Sequence, residues 1–396
     1  MEKLPEMYRP VRMQAAGSSI IPMIADKIAR HPGTISLGQG VVHYGPPETV
    51  EEKIALFLSD PKNHKYGPTQ GIAPLIEAIA AKLANQNGIA IQDRRQIVVT
   101  TGSNMAFHLA VLAITDPGDE IILPTPYFFN HEMTVSLASC RTVCVPTLPS
   151  NHLDVAAMQA AITNRTRAIV TVSPNNPTGA VYGEEELRAI HSMCRERGIF
   201  HISDEAYEDF VYDGVAHTSP GAFPESARHS ISLFTLSKAY GFAGWRMGYM
   251  VIPEALIDDV YKAQDTLTIC PPIINQFAAL AALEAGPSYA NRHLIEIAET
   301  RGKVLQQLHA LVPACTVTPA AGAFYFFIKV RTNKSAYYLA EKLIEEHGVA
   351  VIPGEAFGVT EGCYLRVAYA ALPQPLVLEG VRRLVHGLKS LLATGD

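Results

Sequence analysis

Lys238 stands in the stretch TLSKAYGFAGWRMG (residues 235–248), where the only other charge is Arg246. A lysine on a surface turn is the plain reading. In a pocket with so few charges, however, the ammonium is disfavoured and the pKa falls. The neutral amine then attacks carbonyl groups to form a Schiff base. The preceding TLS and the nearby glycines suit close backbone approach to a phosphate. Four other stretches carry groups with matching chemistry. SDEAY (203–207) ends an apolar run on Asp204, a carboxylate placed to face a cationic ring nitrogen or simply to open an acidic turn. TTGSNMAF (100–107) reads as a strand–glycine–helix junction, whose first N–H groups and Ser103 hydroxyl suit an anion. YLRVAYA (364–370) puts Arg366 inside an apolar strand, where a charge needs a partner: a structural carboxylate, or a carboxylate-bearing ligand held by two parallel hydrogen bonds. SPNNPTG (173–179) is dense in turn formers and brings Asn176.

These groups need elements to hold them. Short β-branched runs, QIVVTT (96–101), DEIILPTP (119–126), RTVCVPT (141–147), RAIVTVSP (167–174), GIFHISD (198–204), SISLFTLS (230–237) and RMGYMVIP (246–253), alternate with helical patterns such as residues 184–198. Runs apolar on both faces, interleaved with helices, predict an α/β fold with a mostly parallel sheet. Asn176, Asp204 and Lys238 each fall just after such a run, at the carboxyl edge where open α/β sheets bind ligands. The tail differs: a long helix (about 287–311), GAFYFFIKV (322–330), a helix (about 335–347), GVAVIPG (348–354), CYLRVAYA (363–370) and a closing helix predict a smaller α+β domain. The expected division is 46–285 for the large domain and 1–45 with 286–396 for the small one.

Composition narrows the function. The 396 residues are 48% hydrophobic and 18% charged, enough apolar material for two cores. A formal net charge of −6 leaves no electrostatic footprint for nucleic acid or an anionic membrane. No apolar run is long enough to span a bilayer, and the start lacks a signal-peptide core. Six scattered cysteines without a CxxC pair read as reduced thiols of a cytoplasmic protein. The 14 histidines show no metal-ligand spacing, so no metal is expected. Neither GxGxxG nor GxxxxGK[ST] occurs, which disfavours a nicotinamide-linked dehydrogenase and a P-loop enzyme.

Taken together, LGQG, YGPTQG, TTGSNMAF, SPNNPTG, SDEAYEDFVYDG, TLSKAYGFAGWRMGY and YLRVAYA, in this order, resemble the class I/II aminotransferases over residues 30–390. The resemblance implies a fold type I enzyme, three layers α/β/α plus a small domain, that depends on pyridoxal 5′-phosphate (PLP). It implies that Lys238 holds the cofactor as a Schiff base and later moves the substrate α-proton. Asp204 would pair with the pyridine nitrogen. Tyr207 and Asn176 would bond the ring oxygen, and Tyr127 would stack on the ring. Arg246, Thr235, Ser237, Ser103 and Asn104 would hold the phosphate. Arg366 would clamp the substrate carboxylate, helped by backbone near Gly40. Tyr66 would reach the neighbouring subunit's cofactor, which implies a homodimer with shared sites. The substrates implied are an amino acid and a 2-oxo acid.

Residues 263–285 contain no arginine, where dicarboxylate-specific relatives often carry one. The loop QGVVHYGPP (39–47) departs from the commoner GxPDF pattern, and Val41, Val42 and Tyr44 make it apolar and aromatic. The likeness is greatest to plant aromatic aminotransferases, so an apolar or aromatic donor, or methionine, is expected. Carbon–sulfur β-lyases and aminocyclopropane-carboxylate synthases share Lys238, Asp204 and Arg366, and a non-catalytic ligand sensor shares the fold; all three stay open at this point.

Overall fold

The computed structural model describes residues 9–17, 20–91 and 94–393. Residues 1–8, where the smaller domain was expected to begin, lie outside them. Seven strands form the main sheet: β1 (Arg95–Thr100), β2 (Glu120–Thr125), β3 (Arg141–Pro146), β4 (Thr166–Val172), β5 (Phe200–Asp204), β6 (Ser230–Thr235) and β7 (Gly248–Pro253). Their order is β1-β7-β6-β5-β4-β2-β3. The pairs β2/β3, β2/β4, β4/β5 and β5/β6 are parallel; β7 runs antiparallel to both β1 and β6.

Side-chain alternation explains why these runs lie in the middle of the fold. Ile121 and Leu123 face Val170, Ile202, Leu233 and Met250 beneath two helices, Ser103–Ile114 and Ile257–Thr268. Ile122 and Ile169 point the other way, onto Leu187 and Ile190 of the helix Glu184–Arg197. Both faces are therefore dry, as a parallel sheet requires. The boundaries of that last helix are chemical. Three glutamates occupy its first turn, Glu186 accepts the Gly183 N–H at 2.8 Å, and Gly198 at φ +66° ends it.

A second sheet of four antiparallel strands follows: β8 (Cys315–Thr316), β9 (Tyr325–Val330), β10 (Ile352–Pro353) and β11 (Cys363–Ala368), in the order β10-β11-β9-β8. Helices α1 (Pro287–Leu308), α2 (Ala336–His347) and α3 (Gln374–Ala393) accompany it. The early chain joins this part, since Ile35–Ser36 pairs in parallel with Val349–Ala350. One buried cluster runs from Ile24 through Phe324–Ile328 to Leu391 and also takes in Ile97, Val99 and Phe234 of the main sheet. Among the described residues no single helix is long and apolar enough to cross a membrane; Glu254–Thr268 and Ile273–Glu284 reach that only jointly, across a 120° bend.

Candidate active site

The carboxyl ends of β4, β5 and β6 open on a cavity of about 330 Å³. Strand β4 leads to Asn176, β5 ends on Asp204, and β6 ends on Thr235 and passes directly to Ser237 and Lys238. Parallel strands bring three side chains distant in sequence to one edge. The antiparallel β9/β11 pair closes the opposite wall with Tyr325 and Arg366.

Lys238 is partly buried, and its Nζ donates to the Gly40 carbonyl at 2.6 Å. Burial, followed by the positive charges of Arg366 and Arg246, lowers its pKa to about 8, against a weaker opposing pull from Asp204. A neutral amine is thus accessible near neutrality. Asp204 accepts the Ala206 N–H at 3.1 Å on one oxygen and His131 Nε2 at 3.0 Å on the other. Asn176 Nδ2 donates to Tyr207 Oη at 3.3 Å, and Tyr207 Oη lies 2.7 Å from Tyr325 Oη.

Around the lysine turn, the Ser237 N–H donates to Thr235 Oγ1 at 3.1 Å, and Thr235 Oγ1 lies 2.9 Å from Ser237 Oγ. Arg246, at φ +55°, bonds the Ala243 carbonyl at 2.9 Å and reaches Ser237 Oγ at 3.5 Å. Gly102 has φ +85°, and a Cβ there would stand 2.4 Å from an Arg246 nitrogen. The glycine lets the guanidinium lie against the first turn of the helix that begins at Ser103 and Asn104. A helix N-terminus, two hydroxyls and an arginine thereby converge, a setting built for a dianion.

Arg366 is only 2% exposed. Its two terminal nitrogens donate to Asn176 Oδ1 at 2.8 Å and the Gly38 carbonyl at 2.6 Å, while Nε has no partner. The rings of Tyr325 and Phe357 lie 4.6 and 4.8 Å from its guanidinium carbon. Among the described residues no carboxylate pairs with it, so the structural salt bridge that sequence left open is not what holds it there.

Two of the expected residues do not line this chain's cavity. Tyr127 was expected to stack over the cofactor ring, but it does not line the cavity. Its ring packs against Gly358, where a Cβ would stand 2.3 Å from it, and its N–H donates to the Phe357 carbonyl at 3.1 Å. The next residue, Phe128, forms that part of the wall. Tyr66 is 81% exposed and lies outside its own chain's cavity. Two further residues were not found by sequence reasoning. Tyr325 was hidden in an apolar run. His131 was hidden in an aromatic one; its only signal was its place on the first turns of the helix Phe129–Leu137, after a strand of the catalytic edge. Behind the site, Glu205, Glu208 and His217 bring potential ligand atoms within 4.8 Å of one another. That cluster already holds a cation, with Lys82 Nζ 2.5 Å from Glu208.

Residues 32–384 match the family described as Aminotransferase class I and II. The chain belongs to this family. It is 35% identical over 370 residues to a probable aspartate/prephenate aminotransferase of Aquifex aeolicus, covering 90% of this chain and 91% of that one. It is 31% identical to the aromatic aminotransferase ISS1 of Arabidopsis thaliana, over 95% of each chain. Among solved structures, a double mutant of Thermus thermophilus aspartate aminotransferase superposes with a TM-score of 0.88 at 31% identity, covering 96% of this chain and 100% of that one. The fold is accordingly fold type I, and the protein is a PLP-dependent aminotransferase acting on amino acids and 2-oxo acids. The cavity fits that cofactor on its own evidence: an amine of lowered pKa, a carboxylate held from behind, an anion cradle at a helix start, and a buried arginine nitrogen left free for a carboxylate.

Proposed function

We propose that this enzyme takes the amino group from an L-amino acid with an apolar or aromatic side chain, methionine included, and passes it to a 2-oxo acid. Lys238 would hold the cofactor through its Nζ and then act as the base at the substrate α-carbon. The observation that carries this reading is the position of Lys238 Nζ, on the Gly40 carbonyl inside a cavity that also contains Asp204 and Arg366. Bound there, PLP supplies the electron sink that makes the substrate α-hydrogen acidic.

The chain's own groups do the rest. Arg246, Thr235, Ser237 and the helix start at Ser103 and Asn104 neutralise and anchor the phosphate. Asp204 keeps the ring nitrogen protonated, and His131 fixes the orientation of Asp204. Tyr207 and Asn176 bond the ring oxygen, and Phe128 takes the ring-face position expected for Tyr127. Arg366 turns its free Nε, with one terminal nitrogen, to the substrate carboxylate. Support for an apolar donor comes from Ile21, Val41, Phe128 and Phe129 in the wall, where the only arginines among the described residues are Arg246 and Arg366. The exposed Tyr66 supports a homodimer that completes each site from the neighbouring subunit. The division into residues 46–285 and 1–45 with 286–396 belongs to the same proposal, as does a cytoplasmic location, which the six unpaired cysteines favour.

Borohydride reduction of the holoenzyme followed by peptide mapping is expected to leave a pyridoxyl-phosphate mark on Lys238, and none on a Lys238→Ala variant, which also loses turnover. A mark elsewhere defeats the assignment. In the same holoenzyme, half-reactions with single amino acids followed by absorbance should favour phenylalanine, tryptophan and methionine. A tenfold higher kcat/KM for aspartate, about 1.4 kcal/mol, would reverse the substrate choice.

A further inference from the structure

Lys238 is held from both ends by one loop. Its Nζ donates to Gly40 O at 2.6 Å. Four residues further along the loop, Tyr44 Oη points at the lysine's main chain, 3.2 Å from the Lys238 carbonyl oxygen and 3.3 Å from that of Ala239. The two backbones also touch. Gly241 has φ +68°, and a Cβ there would lie 2.5 Å from Gly45 O and 2.7 Å from Tyr44 O. Only a glycine allows the lysine turn to lie this close to the loop.

The far side of Tyr44 is fastened to α1 of the second, α+β part. Its ring stacks on His293 with centroids 3.7 Å apart and planes 7° apart. Tyr289 stands edge-on to it at 6.1 Å and hydrogen-bonds the Gly45 carbonyl through its own hydroxyl. His43 Nε2 lies 3.5 Å from Glu296 on the same helix. Burial, with Tyr289 and Asp209 nearby, pushes the Tyr44 phenol pKa well up, so the group stays an O–H donor across the working range of pH. A phenylalanine would fill the same space and keep the same stack. What the tyrosine adds is one hydrogen bond to the peptide of the reactive lysine.

We propose that Tyr44 is a positioning residue for Lys238: its hydroxyl sets the main chain of the lysine, and its ring ties that setting to helix α1. A displacement of α1 moves Tyr44 and Gly40 together, and so moves both ends of the lysine. Proton transfer needs its heavy atoms within about 2.6–3.2 Å, and a misplacement of about 1 Å can cost on the order of 10²-fold. The loss of one anchor of two should cost less than that. The inference rests on the reading of Lys238 as the cofactor-holding base.

The test uses the holoenzyme and Tyr44→Phe. We expect kcat to fall about threefold to tenfold, about 0.7–1.4 kcal/mol, with KM changed less than about twofold. The pH midpoint of the bound cofactor's absorbance should move by about half a unit, because the environment of Nζ changes. Borohydride should still mark Lys238. His293→Ala, which removes the stack and keeps the hydroxyl, should move the midpoint in the same direction by less. A Tyr44→Phe enzyme with the parent's midpoint and kcat overturns the inference, also where its melting temperature has dropped, because the bond then serves the fold alone. A parent enzyme without the mark on Lys238 overturns the function reading and this inference with it. A marked parent with a silent Tyr44→Phe overturns this inference alone.

Discussion

Strand β5 buries an ionisable side chain at each end, and the two ends treat it in opposite ways. Asp204, 4% exposed, faces the cavity with both oxygens in hydrogen bonds, from His131 and the Ala206 N–H. His201, three residues earlier and 0% exposed, faces away from it. One ring nitrogen lies 2.9 Å from Thr171 Oγ1 and the other has no partner. His191 and His229 crowd it from the neighbouring helix and the start of β6, and burial lowers its pKa to about 3. Burial alone therefore does not mark a functional group. At the carboxyl end of the strand, donors collect around a carboxylate beside an open cavity. At the amino end, the surroundings are dry and a neutral ring is stored. The difference follows from strand direction, because only one edge of a parallel sheet carries the loops that build a site.

The strongest test of this contrast is Asp204→Asn. The amide fills the same volume but brings no charge against the ring nitrogen. Breaking one side of a buried charged pair removes about 3–4 kcal/mol, roughly 10²–10³-fold in kcat. Cofactor should stay attached, since the phosphate anchors and Lys238 are untouched. Steady-state kinetics together with the cofactor absorbance decide it, and a variant with parental kcat would show that Asp204 is no more functional than His201.

His131→Phe sharpens the same end of the strand. The ring of His131 already lies 4.1 Å from Phe107, so a phenyl group packs there while one Asp204 oxygen loses its donor. A hydrogen bond to a charged group is worth about 1.5–3 kcal/mol, so a fall in kcat of about 10–100-fold, smaller than for Asp204→Asn, is expected. Retained kcat would place His131 among the purely structural histidines.

How far sequence reaches follows the same division. The strands were legible because β-branched runs apolar on both faces admit one placement. Lys238, Asp204 and Arg366 were legible because each is a charge where the local pattern predicts none. Tyr325 and His131 were not, because an aromatic residue within an aromatic run looks like packing, and only tertiary contact turns its polar atom toward Tyr207 or Asp204. Tyr127 was expected at the cavity and packs against Gly358 instead, with Phe128 in the cavity wall. Three consecutive aromatic residues fix neither which ring faces the cavity nor which packs against Gly358; the backbone contact with Phe357 decides that, and it lies more than 200 residues away in sequence.

The smallest expected effect belongs to the histidine end, and its sign is opposite to that of a histidine paired with a carboxylate. His201 is held at about 3 and His229 at about 4, in each case first by burial. An unfolded histidine titrates near 6.5, so the unfolded chain takes up protons that the folded chain refuses. The stability tied to this refusal is complete above about 6.5 and is lost as pH falls toward the folded values. Between pH 6.5 and 5 each such ring costs about 2 kcal/mol. The groups around them do not reverse this: burial and the charges of His191 and Arg195 lower the pKa of His229, against the opposing pull of its hydrogen bond to the His191 carbonyl and of Glu225. His201→Gln keeps a partner for Thr171 and cannot be protonated. Its urea midpoint should lie close to the parent's at pH 7.5 and fall less steeply between pH 7 and 5, with transamination at neutral pH unchanged. Identical slopes for parent and variant would mean that this end of the strand stores no refused proton, and the contrast with Asp204 would be one of position alone.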